Sequence, residues 1–574
     1  MVRYEEPMHI DVVPNRGSRP AYLLRESWRE GKKIRKRTIA NLSSLADDQI
    51  DAIRRVLRGE KLAAIGEVFE VTGSRMHGDT DAVLRAMKRL GIRDLLSSRP
   101  SFEAEVVMGM IAARVVAPHT KLATTRWWRT RTLPEDLRIE HATDDDLYQA
   151  MDWLVDHQDL IEKKLAARHL KNGDLALYDL TSSYFEGKTC PLAAMGHNRD
   201  GRKNKLQVNY GLLADKRGCP VAVSVYEGNT NDPKTLMPLV EKLRKDYGIE
   251  RVVLVGDRGM IGQAAVEDLR NLPGLQWITA LKSIQIRALV EGGALQLGLF
   301  DERNLFELTH PAYPGERLVA CRNLELGKLR GHKRQALIEA TVEELEKVRA
   351  MVKRGDLSGA GKIGVRAGRV VNKYKVAKHF ALTITDDRFD FSLREEQIAA
   401  EAALDGIYVI RTSLSKREMS AADAVRSYKS LSEVERAFRS LKTVDLEVRP
   451  IHHRLANRVR AHILLCMLAY YVEWHMREAW RPILFADEDL EAKAHRDPVA
   501  PAKRSEAAEA KAVTKTLADG TPAHSFRTAL EDLSTIVRNN CQAPGAPSAP
   551  TFAVVTTPSP AQQRAIDLLD QIAV

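Results

Sequence analysis

The segment Arg251-Val-Val-Leu-Val-Gly256-Asp257 narrows what this chain can fold into more than any other. Its apolar residues follow one another without alternation, and a glycine ends the run. A strand with one wetted face would alternate, so this one must be covered on both faces. Such strands lie inside sheets flanked by helices. Ahead of it the residues favour strands at 175–181, 206–214 and 221–226, the last two joined by the turn Asp215-Lys-Arg-Gly218, and then a helix over 233–247. Behind it come a helix over 261–271 and a strand over 276–281.

Three strands, a helix, a strand, a helix and a strand, opening as antiparallel hairpins and passing into α/β alternation, is the strand order of the ribonuclease H-like fold. The expected class is therefore α/β. A ribonuclease H-like core, with a mixed five-stranded sheet and flanking helices, is interrupted by an α+β insertion and preceded by a β-hairpin and a helical DNA-binding region. A chain of 574 residues exceeds one core. The expected divisions are a basic β-hairpin region at 1–75, the helical DNA-binding region at 76–172, and the first part of the core at 173–282. An insertion follows at 283–404, then the rest of the core at 405–485, a flexible linker at 486–524 and a helical tail at 525–574. The insertion holds a charged helix at 333–353, a basic Gly-rich segment at 359–375 and short strands near 381–384 and 389–391; residues 407–410 favour a strand returning to the core. The linker is rich in Ala, Glu, Lys and Pro, and the tail favours amphipathic helices at 529–537 and 561–572.

Charge points to the partner. There are 88 Lys and Arg against 77 Asp and Glu, a net +11, which favours a polyanion that releases counterions on binding. The five cysteines, Cys190, Cys219, Cys321, Cys466 and Cys541, form no Cys-x-x-Cys pair, so neither a disulfide framework nor a structural zinc site is expected. His452, His453, His462 and Cys466 lack a second ligand pair at zinc spacing. A reducing, cytoplasmic compartment is expected. The N-terminus lacks the apolar run of a signal peptide. The longest apolar stretch, 463–472, is about half the ~20 residues that span a bilayer, so no membrane segment is expected.

Several basic segments have two readings. Residues 20–40 favour a hairpin turning at Arg29-Glu30-Gly31-Lys32, with Lys33, Arg35, Lys36 and Arg37 either on phosphates or guarding a solvated edge. Arg126-Trp127-Trp128-Arg129 suits either DNA stacking or core packing. Arg454, Arg458 and Arg460 lead into the apolar 463–471 segment and either line a DNA channel or form an exposed helix face. The loop 197–205 is open in the same way.

Three acids suggest the chemistry. Phosphoryl transfer on DNA uses two divalent ions about 3.5–4 Å apart, and hard ions such as Mg²⁺ want carboxylates held on rigid elements. Asp179 lies within the first strand, and Asp257 ends the fourth, exposed by the reversal at Arg258-Gly259. Residues 421–443 favour one helix on which Tyr428, Glu435 and Lys442 fall at steps of seven and share a face. Val434, Phe438 and Leu441 form the stripe that would seat it on the sheet. Glu435 then lies at the margin of the buried face, with Tyr428 and Lys442 placed to hold phosphates.

The segments Tyr178-Asp179-Leu-Thr-Ser-Ser, Gly228-Asn-Thr230 before Asp232, Val255-Gly-Asp257-Arg-Gly, and Tyr428 through Glu435 to Lys442 resemble the DDE transposases of bacterial insertion sequences. The resemblance is to the group marked by a Tyr-Arg-Glu-Lys motif, with a β-rich insertion between the second Asp and the Glu, and runs from the N-terminal hairpin to about Trp474. It implies that Asp179, Asp257 and Glu435 bind two Mg²⁺ ions, or Mn²⁺, which suits the same oxygens. It further implies that Tyr428 and Lys442 contact the terminal DNA backbone; beside it, Arg258, Arg458 and Arg460 are candidate DNA contacts by their own charge and place in the sequence. Leu431 stands where the motif expects Arg, and Arg439, one turn after Glu435, is the preferred substitute, with Arg436 the other choice. The implied activity is cleavage at terminal inverted repeats of double-stranded DNA and joining to target DNA, by a homodimer in a synaptic complex. Excision through a DNA hairpin is left open. Two rivals stand beside it: a transposase-derived regulator that binds DNA without cutting, and a ribonuclease H-like nuclease without strand transfer. The long insertion and separate N-terminal module favour transposition, since a simple nuclease needs neither.

Overall fold

The apolar run at 252–255 occupies the interior of the main sheet, with all four residues buried. The computed structural model describes residues 5–60, 69–202, 204–296, 298, 300, 304–543 and 551–573. Contacts divide it into two units: Met1–Arg75 with Val537–Thr557, and Met76–Ile536 with Pro558–Val574.

The first unit contains β1 (Glu5–Asn15), β2 (Ser18–Glu30) and β3 (Lys33–Asn41), an antiparallel sheet in the order β1-β2-β3. The expected hairpin is β2–β3, and β1 adds a third strand. Arg35 and Arg37 of β3 are ion-paired to Glu30 and Glu26. A second sheet joins β4 (Glu70–Met76) to β15 (Val537–Gln542) and β16 (Phe552–Val555) in the order β16-β15-β4. The tail, expected to be helical, thus contributes a hairpin between its helices Phe526–Leu533 and Pro560–Asp570.

In the second unit, β5 (Leu175–Tyr184), β6 (Gln207–Asp215) and β7 (Pro220–Glu227) form an antiparallel meander. β8 (Val252–Val255) and β9 (Leu275–Ala280) follow, with β8 parallel to both β5 and β9. The five-stranded expectation is corrected to eight: β10 (Leu305–Leu308), β11 (Arg317–Arg322) and β14 (Ile407–Thr412) complete the order β10-β11-β14-β9-β8-β5-β6-β7. Without β11, β14 would present an open edge of backbone groups. Two strands of the segment assigned to the insertion therefore belong to the main sheet. Arg411 of β14, 2% exposed, is clamped by Glu316, whose other donors are Trp277 and Arg270.

The remainder of that segment has its own small core. Helices Leu324–Lys353 and Ala360–Lys373 and the hairpin β12 (Phe380–Ile384)–β13 (Phe389–Leu393) enclose Leu345, Val348, Ile363, Ala367, Phe380 and Phe389. The Gly-rich basic stretch is thus a helix, seated by Ile363, Ala367, Val370 and Val371 on one face despite the low helix propensity of its glycines. Residues 486–524, expected as a flexible linker, carry helices Leu490–His495 and Glu506–Thr514 and bury Val499, Leu517 and Ala523. Asp487 pins this segment by accepting from Ser505 N–H and Oγ–H, at 2.9 and 2.7 Å, a local bond that composition does not reveal.

Seven helices lie between Gly78 and His169, and among them Phe102–Val116 and Asp144–Asp156 pack on the long helix Ala456–Ala479. That helix is buried around its circumference from Val459 to Met476, because a helix apolar on all sides has nowhere else to go. Among the described residues no single helix is long and apolar enough to cross a membrane. Trp128 is core at 2% exposure, and Arg131 lies over Trp127 at 4.3 Å, so packing explains the aromatic pair.

Candidate active site

Strand register brings the first two acids together. β5 and β8 run parallel with Leu177 opposite Val255. Asp179, midway along β5, and Asp257, just past the end of β8, each lie two residues further on, so they stand side by side on adjacent strands about 4.8 Å apart. Asp179 Oδ1 accepts from Leu180 N–H at 2.8 Å. Asp257 Oδ1 accepts from Gly259 N–H at 2.6 Å and Met260 N–H at 3.0 Å, which fixes it in the turn after β8.

The third acid comes from a helix, though not the one expected. Residues 421–443 were expected to be continuous; instead helix Ala421–Lys429 ends at Ser430, helix Leu431–Arg439 begins, and a π turn covers Ser440–Val444. Ser430 Oγ–H donates to Ser427 C=O at 2.6 Å, the kind of local bond by which serine competes with a continuing helix. The second helix packs on β5 through Val434, Ala437 and Phe438, with the Phe438 ring 6.0 Å from Tyr210, and leaves Glu435 exposed.

Electrostatics show that the three acids share one neighbourhood. Burial, and then the charges of Asp257 and Glu435, push the Asp179 carboxyl up to about 7 against the opposing effects of Leu180 N–H and Arg199. Burial raises the Tyr428 phenol to about 12, and Asp257, Asp179 and Glu435 act on it in the same direction while Arg258 opposes them. Asp179, Asp257, Glu435, Tyr428 and exposed Arg258 therefore gather despite the helix break. The carboxylates are not drawn tight: among the described residues the one trio of candidate ligands all within 4.8 Å of one another is elsewhere.

Two residues of this neighbourhood escaped the sequence reading of roles. Asp232, in the short 3₁₀ turn Asp232–Thr235, accepts from Arg199 at 2.5 Å. A Cβ placed on Gly259 would lie 3.0 Å from Asp257 Oδ1 and 3.7 Å from Asp232 Oδ2, so these two acids flank that glycine. Arg199 Nη1 is buried with no hydrogen-bond partner. The signal for Asp232 was its place after Gly228-Asn-Thr230; Arg199 was hidden within a loop of ordinary basic composition.

Other expected contacts stand differently. Lys442, expected on DNA phosphates, is 9% exposed and donates to Asp200 at 2.9 Å, where Arg449 also pairs; burial lowers its ammonium. Its side chain faces inward because the π turn replaces the last helical turn. Arg458 pairs with Asp152 at 3.3 Å and lies over the Tyr148 ring at 4.7 Å, and Arg460 donates to Asn457 at 3.0 Å. Leu431 is 8% exposed and packs into the core. Arg439 is exposed, whereas Arg436 pairs with Glu433 at 2.8 Å. His462 donates through Nε2–H to Val448 C=O at 3.0 Å and lies 5.2 Å from His453, ring to ring, a packed pair.

The IS1634 family transposase N-terminal domain matches residues 10–66, and the transposase DDE domain matches 174–472. No curated protein matches the sequence. Nine chains of solved structures match. One is the cryo-EM structure of the piggyBac transposase synaptic complex with hairpin DNA, at 9% identity and a TM-score of 0.36 over 79% of each chain, too loose a likeness to argue from. The DDE match covers just over half of the 574 residues, and the chain belongs to that family, the DDE transposases of insertion sequences.

Proposed function

We propose that this transposase cuts DNA at the ends of its element and joins the freed ends to target DNA, using Asp179, Asp257 and Glu435 on a ribonuclease H-like core. The family depends on divalent metal ions, and the residues here fit such ions. The donors are carboxylate oxygens, as Mg²⁺ or Mn²⁺ requires. The observation that carries the reading is Asp179, whose carboxyl is driven to about 7 by burial and two neighbouring acids, a charge conflict that a cation resolves. Two Mg²⁺ ions held by Asp179, Asp257 and Glu435 would supply activation of the attacking oxygen and stabilisation of the leaving one.

The chain's own residues do the rest. In the first step an O–P bond forms from water as the bond to the 3′-oxygen breaks, releasing a 3′-hydroxyl. In the second that hydroxyl attacks a target phosphodiester and displaces its 3′-oxygen. Asp257, fixed by two backbone N–H groups, and Asp179, fixed by its strand, set the position of the reacting phosphate. Arg199, with one guanidinium nitrogen on Asp232 and one unpartnered, is suited to a phosphate oxygen, and Tyr428, Arg258 and Arg439 to the flanking backbone. Lys442 and Arg449 act one step removed, holding Asp200 and with it the loop that bears Arg199. The basic N-terminal strands would engage the terminal repeats, and a dimer would hold both ends. Five unpaired cysteines are in keeping with a reducing cytoplasm.

The test is cleavage and joining of DNA carrying the element's own ends with Mg²⁺, wild type against Glu435→Ala. Wild type should nick and join. The variant should bind the ends equally and lose cleavage by on the order of 10³-fold or more, the usual scale for removing a transition-state stabiliser. A variant that cuts like wild type would remove Glu435 from the site. Binding without cleavage by both proteins would favour the inactive regulator, and cutting without joining the nuclease.

A further inference from the structure

Three soft ligands that the proposed chemistry does not use meet at one point of the second unit. His169 ends helix Gln158–His169, Cys219 lies in the turn between β6 and β7, and His475 lies in the last turns of helix Ala456–Ala479. A ligand atom from each lies within 4.8 Å of the other two, and Cys219 Sγ is 3.7 Å from His475 Nε2. Metal–ligand bonds of about 2.3 Å to sulfur and 2.0 Å to nitrogen in a tetrahedral zinc site set those ligands roughly 3.5 Å apart. Small side-chain movements would therefore close the set.

The surroundings suit an ion as well. Burial holds His169 down at about 4 and His475 at about 3, so both imidazoles are neutral; His169 Nε2 lies 3.0 Å from the Tyr471 hydroxyl and Nδ1 faces Arg217, so an ion would take the place of one of these partners. Burial likewise keeps Cys219 a thiol, and a bound cation reverses that by stabilising the thiolate. The opposing charges are Arg168 and Arg217; Arg217 Nη2 is 3.4 Å from His169 Nδ1 and is matched by Asp215, 2.8 Å from the same guanidinium. His475 also lines a cavity of about 440 Å³ bounded by Glu478, Leu568 and Gln571.

We propose that His169, Cys219 and His475 bind a divalent ion of the zinc class, separate from the carboxylate centre, which ties two helices to the β6–β7 turn. Gly218 in that turn lies against Glu433 of the helix bearing Glu435, so the ion would brace the platform on which that helix rests.

Titration of the full chain with Co²⁺ in excess Mg²⁺, which occupies the carboxylates, tests this. Wild type should bind about one ion per chain with tetrahedral absorption and a thiolate-to-cobalt charge-transfer band, both displaced by Zn²⁺. Cys219→Ser should abolish the charge-transfer band, and His475→Ala should weaken binding by at least about 100-fold. Should a variant fail to fold by circular dichroism, X-ray absorption of the zinc-loaded wild type decides, with one sulfur among nitrogen and oxygen neighbours expected. No Co²⁺ bound in excess Mg²⁺, a band that survives Cys219→Ser, or a shell without sulfur overturns the site.

Discussion

Asp179 lies where its own charge is least stable. An ordinary aspartate titrates near 3.8, whereas this one is raised to about 7. Between those values the unfolded chain is ionised while the folded chain keeps the proton. Stability through this group therefore falls as pH climbs from about 4 to about 7 and stays lower above, by roughly 2–4 kcal/mol without metal. Asp179→Asn should melt higher than metal-free wild type at pH 8 and level with it near pH 4. Mg²⁺ should raise the melting temperature of wild type at pH 8 but leave the variant unmoved. Equal melting of the two metal-free proteins at pH 8 would mean that the charge is already relieved. Leu431 is the opposite case, an uncharged side chain 8% exposed and packed into the core.

At the scale of elements, the site depends on how the Glu435 helix rests on its neighbours. Gly218 has φ +86°, and a Cβ there would come within 2.6 Å of Glu433 Cβ. Gly218→Ala should destabilise by about 1–3 kcal/mol through overpacking and strain. It should also reduce cleavage more than DNA binding, since the displaced helix bears Glu435. Unchanged melting and cleavage would show that the contact has slack. The outer strands depend on the buried Glu316–Arg411 pair, 0% and 2% exposed in their side chains. Glu316→Ala strands the guanidinium and should cost about 3–5 kcal/mol, whereas Glu316→Leu with Arg411→Met should cost markedly less. Urea unfolding of both variants decides, and equal losses would contradict the charge argument.

At the scale of the whole molecule, the helical core and the sheet share one continuous apolar interior, and buried histidines make it acid-sensitive. Burial lowers His453 from 6.5 to about 3 and holds His462 well below 6.5. Below about 6.5 the unfolded chain takes up protons that the folded chain refuses, so stability is full above that value and falls as pH drops toward 4. The urea midpoint should decline between pH 7 and pH 5, and His453→Gln should flatten the decline. A variant whose midpoint tracks wild type across that range would remove His453 from the acid response.

Much of the site was legible because its signals are local. The Val252–Val255 run, the alternation around it and the placing of one acid within β5 and one just after β8 follow from periodicity and turn chemistry within a few residues. The sequence by itself determined the mixed α/β architecture, the strand from which Asp179 projects, the turn that exposes Asp257, and the pairing of β2 with β3. Only the tertiary structure decided the rest. β10 and β11 were assigned to the sheet by an open edge on β14, and β15 was joined to β4 across several hundred residues, as Thr72 Oγ–H on Asn540 C=O records. Lys442 was turned inward by a π turn and an acid from another loop, and Arg199 was brought beside Asp179 in the same way. The physical reason is common to all of them. Periodicity reports which face of an element is buried, but the partner that buries it, or neutralises a charge on it, comes from elsewhere in the chain and leaves no local mark.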